Sequence, residues 1–148
     1  MDARSVAQLL HALRAVRIEL GERVVVAGES ETARRAAQLA RVAGALTVRQ
    51  VAPEALASEP PASADVLLFA LDWPRLADAL RLVRDRGRVL LITAGGSALD
   101  FNLYPDLHRR SLVLAGAPGG EPESPLVDFA QHLIETGQLS TNGPRING

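Results

Sequence analysis

Apolar positions along the chain alternate between two rhythms. Val6, Leu9, Leu10, Leu13 and Val16 recur at helical spacing and predict an amphipathic helix over residues 6–17. Ser5-Val6-Ala7-Gln8 has the form of a capping box at its start. After Gly21 the rhythm changes. Arg23 to Ala27 is an unbroken valine-rich run, the pattern of a strand buried on both faces. A helix is predicted from Thr32 to Val42, with Ala33, Ala36, Ala37 and Ala40 as a small-residue face and Gly44 as its stop. Thr47 to Val51 reads as a weaker strand, and Ala52 to Asp65 as a Pro- and Ala-rich bridge with at most one helical turn. Val66 to Leu71 is another buried strand.

Trp73-Pro74 opens the next predicted helix, since proline suits a first turn. Leu76, Ala77, Leu80 and Val83 mark its buried stripe, with Gly87 as a C′ residue and Arg81, Arg84 and Arg86 complementing the dipole. Arg88 to Thr93 is a strand, Gly95-Gly96 a turn, and Leu112 to Ala115 a last strand. Ser124-Pro125 caps a final helix carrying Leu126, Phe129, Ala130, Leu133 and Ile134 on one face and stopping near Gly137. Strands alternating with helices, each strand a continuous apolar run, imply an α/β fold with a parallel sheet covered on both faces. The expected organisation is one domain over residues 1–139 and a loose tail over 140–148.

Composition narrows the chemistry. A chain of 148 residues, 47% apolar, can build one ordinary core. A net charge of −1 gives no electrostatic case for nucleic acid or an anionic membrane. No apolar run reaches the roughly 20 residues needed to span a bilayer, and the first residues lack a signal-peptide core, so a cytoplasmic protein is expected. Without cysteine there is no disulfide, thiolate nucleophile or cysteine-based zinc site. All 16 basic residues are arginine, which excludes lysine Schiff-base chemistry. His11, His108 and His132 show no metal-ligand spacing, and no metal site is expected.

Several stretches, in order, resemble the cofactor-binding domain of medium-chain, zinc-type alcohol dehydrogenases. LLHALRAVRIELGERVVVAGES is similar to that family's lead-in helix, turn and first strand. ADVLLFALDWPRLADALRLVRDRGRVLLITAGG is similar to its fourth strand, helix and fifth strand. DFNLYPDLHRRSLVLAGAP and FAQHLIETGQLS resemble the approach to its sixth strand and the helix that follows. The resemblance covers residues 8–140 and implies a Rossmann-like, doubly wound parallel sheet of about five strands in the order 2-1-4-5-6, the third strand being lost. It further implies that the family's catalytic domain, which carries zinc ligands and proton relay, has no counterpart here.

Four departures concern the inherited cofactor. Aligned to G-x-G-x-x-G/A, the three positions are Gly28, Ser30 and Ala33, with serine where backbone should approach a pyrophosphate. Glu29 and Glu31 compete with a diphosphate for the positive field of a helix N-terminus. No acid ends the second strand to accept from a ribose diol, although Arg49 could meet a 2′-phosphate. The bridge from Ala52 to Asp65 is too short for a third strand and both its crossovers. NAD(P) would be held, if at all, by Gly28, Ser30, Ala33 and Arg49, with NADP the form Arg49 favours.

The crevice at the carboxyl ends of the strands remains the expected binding place. Gly28, Glu29 and Ser30 would face Asp72, Trp73, Thr93, Gly95 and Gly96 there, with Tyr104, Asp106 and His108 folding over them. Glu29 and Asp72, with Tyr104 or His108, are the candidate acid–base residues for an isomerisation, dehydration or cyclisation. Asp72 as a helix cap and Trp73 as a packing anchor are the structural alternatives. Three functions stay open. The first is a dehydrogenase-derived domain without redox function that binds a small organic ligand, the second an NAD(P)-binding subunit of a split oxidoreductase with a separate catalytic partner. The third is a non-catalytic homodimeric assembly partner, joined through the edge strand Leu112 to Ala115.

Overall fold

The protein is described by a computed structural model that covers residues 2–71, 75–92, 103–117 and 122–139. Its apolar runs become five strands: β1 (Arg23–Ala27), β2 (Thr47–Val51), β3 (Ala64–Phe69), β4 (Val83–Leu91) and β5 (Val113–Gly116). All pair in parallel, in the order β2-β1-β3-β4-β5. Val25 sits between Arg49 on one side and Leu67 on the other, which fixes the central register. The ladder continues one step past the strand ends. Gly28 N donates to Val51 O, Ala70 N to Ala27 O, Ile92 N to Phe69 O and Ala117 N to Leu91 O, at 2.9–3.0 Å.

Each face of the sheet has its own core. On one face α1 (Ala3–Leu13), α2 (Glu31–Val42) and α4 (Ser124–Glu135) pack on Val24, Val26, Val66, Leu68 and Leu90. The small-residue face of α2 is as read from the sequence: Ala33, Ala36, Ala37 and Ala40 are all buried. On the other face a 3-10 helix (Pro53–Ser58), the short α3 (Leu76–Leu80) and a π-helix (Leu103–His108) cover Val25, Leu67, Phe69 and Val89. A parallel sheet with both faces covered is the Rossmann-like arrangement expected.

Several boundaries differ from the sequence reading. Helix α1 begins three residues early because Asp2, not Ser5, is its N-cap; the carboxylate accepts from Ser5 N at 2.7 Å. The bridge after β2 holds a six-residue 3-10 helix rather than a single turn, anchored by buried Leu56. Helix α3 ends at Leu80, and Val83 belongs to β4, because Leu82 and Val83 are drawn into the sheet core. Ala77 is exposed, and Ala79 is buried in its place. Gly87 lies within β4 rather than at a helix end: a Cβ there would meet Arg84 O at 2.8 Å and Asp65 O at 2.9 Å. The N-cap position of α4 is Glu123, without a side-chain cap, and Ser124 is already helical. Phe129, expected inside, is exposed. Trp73-Pro74, Gly95-Gly96 and the tail lie outside the described residues.

Arginines close the N-terminal edge of the sheet. Two of the three expected to serve a helix dipole, Arg81 and Arg84, instead satisfy specific oxygens. Arg81 donates to Leu56 O at 2.6 Å and Glu59 O at 2.8 Å, and Arg110 reaches Leu80 O and Val83 O. Arg88 donates to Val16 O and pairs with Glu22. Asp65, at the start of β3, accepts from Arg23 N at 2.8 Å, from the Arg23 guanidinium at 3.3 Å and from Arg84 Nε at 2.6 Å. Burial alone would raise its pKa, but the hydrogen bonds from Arg23 and Arg84 outweigh that and hold the carboxyl well below the usual range.

A carboxylate with a depressed folded pKa adds stability that is complete above its unfolded pKa of about 3.9 and is lost as pH falls through the folded value. Asp65→Asn is therefore expected to cost about 2 kcal/mol at neutral pH and to flatten the acid side of the stability–pH profile. Urea denaturation across the acid range checks both.

Candidate functional site

The turn from β1 into α2 is built around Gly28. Its φ is +130°, and a Cβ would stand 2.7 Å from Ala70 O, so the crossing of this turn over the end of β3 requires glycine. Both polar groups of Gly28 are bound to the end of β2. Its N–H donates to Val51 O at 2.9 Å, and its carbonyl accepts from Gln50 Nε2 at 2.9 Å. Gln50 drew no attention in the sequence, because only its side-chain reach across 22 residues gives it a role.

Ser30 is the N-cap of α2. Its Oγ accepts from Ala33 N at 3.1 Å, leaving the N–H groups of Glu31 and Thr32 as the first-turn donors without a partner inside the helix. Ala33 is fully buried, the small third position the turn needs. Glu31 does not face a ligand. It pairs with Arg34 and, at 2.7 Å, with Arg35, and the hydrogen bond from Arg34 lowers its pKa. Glu29 remains exposed just beyond the C-terminal end of β1, with no hydrogen bond or ion pair among the described residues. Of the two charges that oppose a diphosphate, one is thus neutralised within the helix and one is left.

At the end of β2 and on the crossover to β5 the arrangement is different from that expected. Arg49 is not free for a 2′-phosphate, since its guanidinium meets Glu59 Oε2 at 2.7 Å. Tyr104 and His108 share the π-helix, with ring centroids 5.8 Å apart and tilted by 34°. His108 O accepts from Ser111 N, and Arg110 O accepts from Arg86 N, directly before β5 begins. His108 therefore closes the π-helix just before the chain turns into β5, at the edge where β4 and β5 begin. Asp72, Trp73, Thr93, Gly95 and Gly96 lie outside the described residues. Among the described residues, no group of three or more His, Asp or Glu side chains could hold a metal ion, and no helix is long and apolar enough to cross a membrane.

The sequence matches no protein-family model and no curated protein. Solved structures do match. A putative zinc-binding dehydrogenase from Sinorhizobium meliloti 1021, bound to NADP, superposes with a TM-score of 0.77 at 21% identity over 93% of this chain and 48% of its own. L-idonate 5-dehydrogenase from Escherichia coli gives 0.76 at 17% identity, over 93% and 45% of the two chains. A thermostable alcohol dehydrogenase from Pyrobaculum aerophilum gives 0.72 at 21%, over 95% and 46%. The chain has the fold of a dehydrogenase Rossmann-like domain. This Rossmann-like domain spans about half the length of the solved proteins it matches.

The residues of this domain fit NAD(P) incompletely. The glycine turn and the two first-turn amides suit a phosphate. At the end of β2, where a ribose would be recognised, Gln50 and Arg49 are already engaged by the protein, and Val51-Ala52 offers no acceptor side chain.

Two substitutions separate the turn's structural work from any ligand work. Gly28→Ala is expected to destabilise the fold by about 3 kcal/mol, from backbone strain and the contact with Ala70 O. Ser30→Ala is expected to cost about 1 kcal/mol through loss of the cap. Chemical denaturation without any ligand measures both.

Proposed function

We propose that this chain is a ligand-binding Rossmann-like domain without redox chemistry of its own, which takes a neutral or cationic small organic molecule at the C-terminal edge of its sheet. One observation carries the reading. The polar side chains at the end of β2 are committed to Gly28 and Glu59, so neither a ribose diol nor a 2′-phosphate finds its usual partner. Glu29, exposed just before α2, supplies the anionic contact that a cation or hydroxyl donor would use. With Tyr104 and His108 on the crossover to β5, binding is better supported than acid–base turnover. A Glu29→Gln change is expected to weaken that ligand and leave stability unaltered.

Calorimetric titration with NADPH and NADH tests the reading. The expected result is no saturable heat in the micromolar range. Micromolar NADPH binding would overturn it in favour of the NAD(P)-binding subunit of a split oxidoreductase, a role the NADP-bound neighbour supports.

Assembly is a second proposal, favoured by one observation. Strand β5 ends the sheet, and Val113 on it is exposed, leaving an apolar edge able to pair with a second copy. Val113→Arg is then expected to convert a dimer to a monomer in sedimentation. An unchanged mass would dismiss pairing through this edge.

A further inference from the structure

The N-terminal edge of the sheet, opposite the ligand crevice, carries a surface that the fold does not explain. Leu20 and Leu46 are 86% and 71% exposed, the two most exposed large apolar side chains among the described residues. They stand on neighbouring loops that hydrogen bonds zip together, Gly21 N to Gly44 O at 3.0 Å and Leu46 N to Glu22 O at 2.7 Å. Leu20 lies across Gly44, whose φ of +103° and missing side chain make room for it. The last turn of α2, leading into the Leu46 loop, borders a shallow depression of about 310 Å³ lined by Gln38, Arg41, Val42 and Gln138.

The charge around these leucines is lopsided. Arg14 and Arg17 are exposed and carry no side-chain ion pair among the described residues, whereas Glu22 is already engaged by Arg88. Glu19 is the one exposed acid on the same loop. Segments 14–23, 59–65, 81–88 and 108–112, which form this edge, hold nine of the sixteen arginines but five of the seventeen acids. Arg23, Arg81, Arg84, Arg88 and Arg110 are bound to the protein's own oxygens, so Arg14 and Arg17 carry the uncommitted charge on the Leu20 loop. The rest of the chain is correspondingly acidic. An apolar centre rimmed by arginine has the make-up of a protein interface, not of a nucleic-acid footprint, whose phosphates need no leucines.

We propose that this edge docks a partner protein segment that presents apolar side chains flanked by carboxylates, contacting Leu20, Leu46, Arg17 and Arg41. The partner binds at the end of the domain away from Gly28 and Glu29, leaving the crevice open to its ligand.

A short fluorescein-labelled peptide alternating Glu with Leu serves as the probe, followed by anisotropy on the full chain. The peptide is expected to bind at least about tenfold more tightly than its Glu–Ser counterpart, and binding should weaken with salt. The double change Leu20→Ser with Leu46→Ser, and separately Arg17→Glu, should each weaken it about tenfold. Amide chemical-shift changes on the unaltered protein should fall on residues 14–22 and 38–46, a readout that stands even where a variant fails to fold. The proposal is overturned by no binding of the Glu–Leu peptide, or by shifts mapping elsewhere. Equal binding of the Glu–Ser peptide, duplex DNA or phosphatidylglycerol vesicles also overturns it.

Discussion

Three neighbouring strands begin at one carboxylate. Asp65 opens β3 and holds Arg23 at the start of β1 by both backbone and side chain, while Arg84 on the bulged entry to β4 reaches the same group. A parallel sheet has no tight hairpins to set its registers, so they must come from side-chain patterning and from ties of this kind. The tie works because the chain brings guanidinium groups rather than ammonium groups. A planar fork can serve a carboxylate and a carbonyl at fixed angles. Arg81, Arg88 and Arg110 apply the same geometry to backbone carbonyls of neighbouring turns and strand ends.

At the opposite edge the governing contact is steric. Gly28 is needed because Ala70 O occupies the space of a side chain, and its own N–H and C=O are spent on β2. A glycine at this point thus reports how the strand crosses its neighbour, whatever binds above it. That distinction bears on any chain whose glycine fingerprint is partly erased. The position demanded by the backbone survives, while the one that admits a phosphate has become a helix cap at Ser30.

The architecture was legible because its signals are local and redundant. Buried strands wrote themselves as unbroken valine and leucine runs, and α2 as a stripe of alanines, so the parallel sheet followed from the pattern and its strand order from the family resemblance. Errors gathered where two residues compete for one job. Asp2 and Ser5 can both cap a helix, and the earlier one takes the site while the later one donates to it. Val83 fits a helical stripe and a strand equally, and the sheet core decides. The candidate site was less legible, since its changes are long-range. Neither Gln50 reaching Gly28 nor Arg49 reaching Glu59 leaves a trace in spacing. The π-helix that carries Tyr104 and His108 likewise left no mark in the periodicity.

The helices nearest the two ends of the sequence, α1 and α4, lie against each other on the same face of the sheet. Synthesis on a ribosome runs in one direction, so within this domain the apolar stripe of Val6, Leu9 and Leu13 is made before Leu126, Ala130 and Leu133, against which it packs. Until then the nascent chain can close the face covered by α3 but not the one covered by α4. The last helix of this domain thus completes the half of the core that its first helix began.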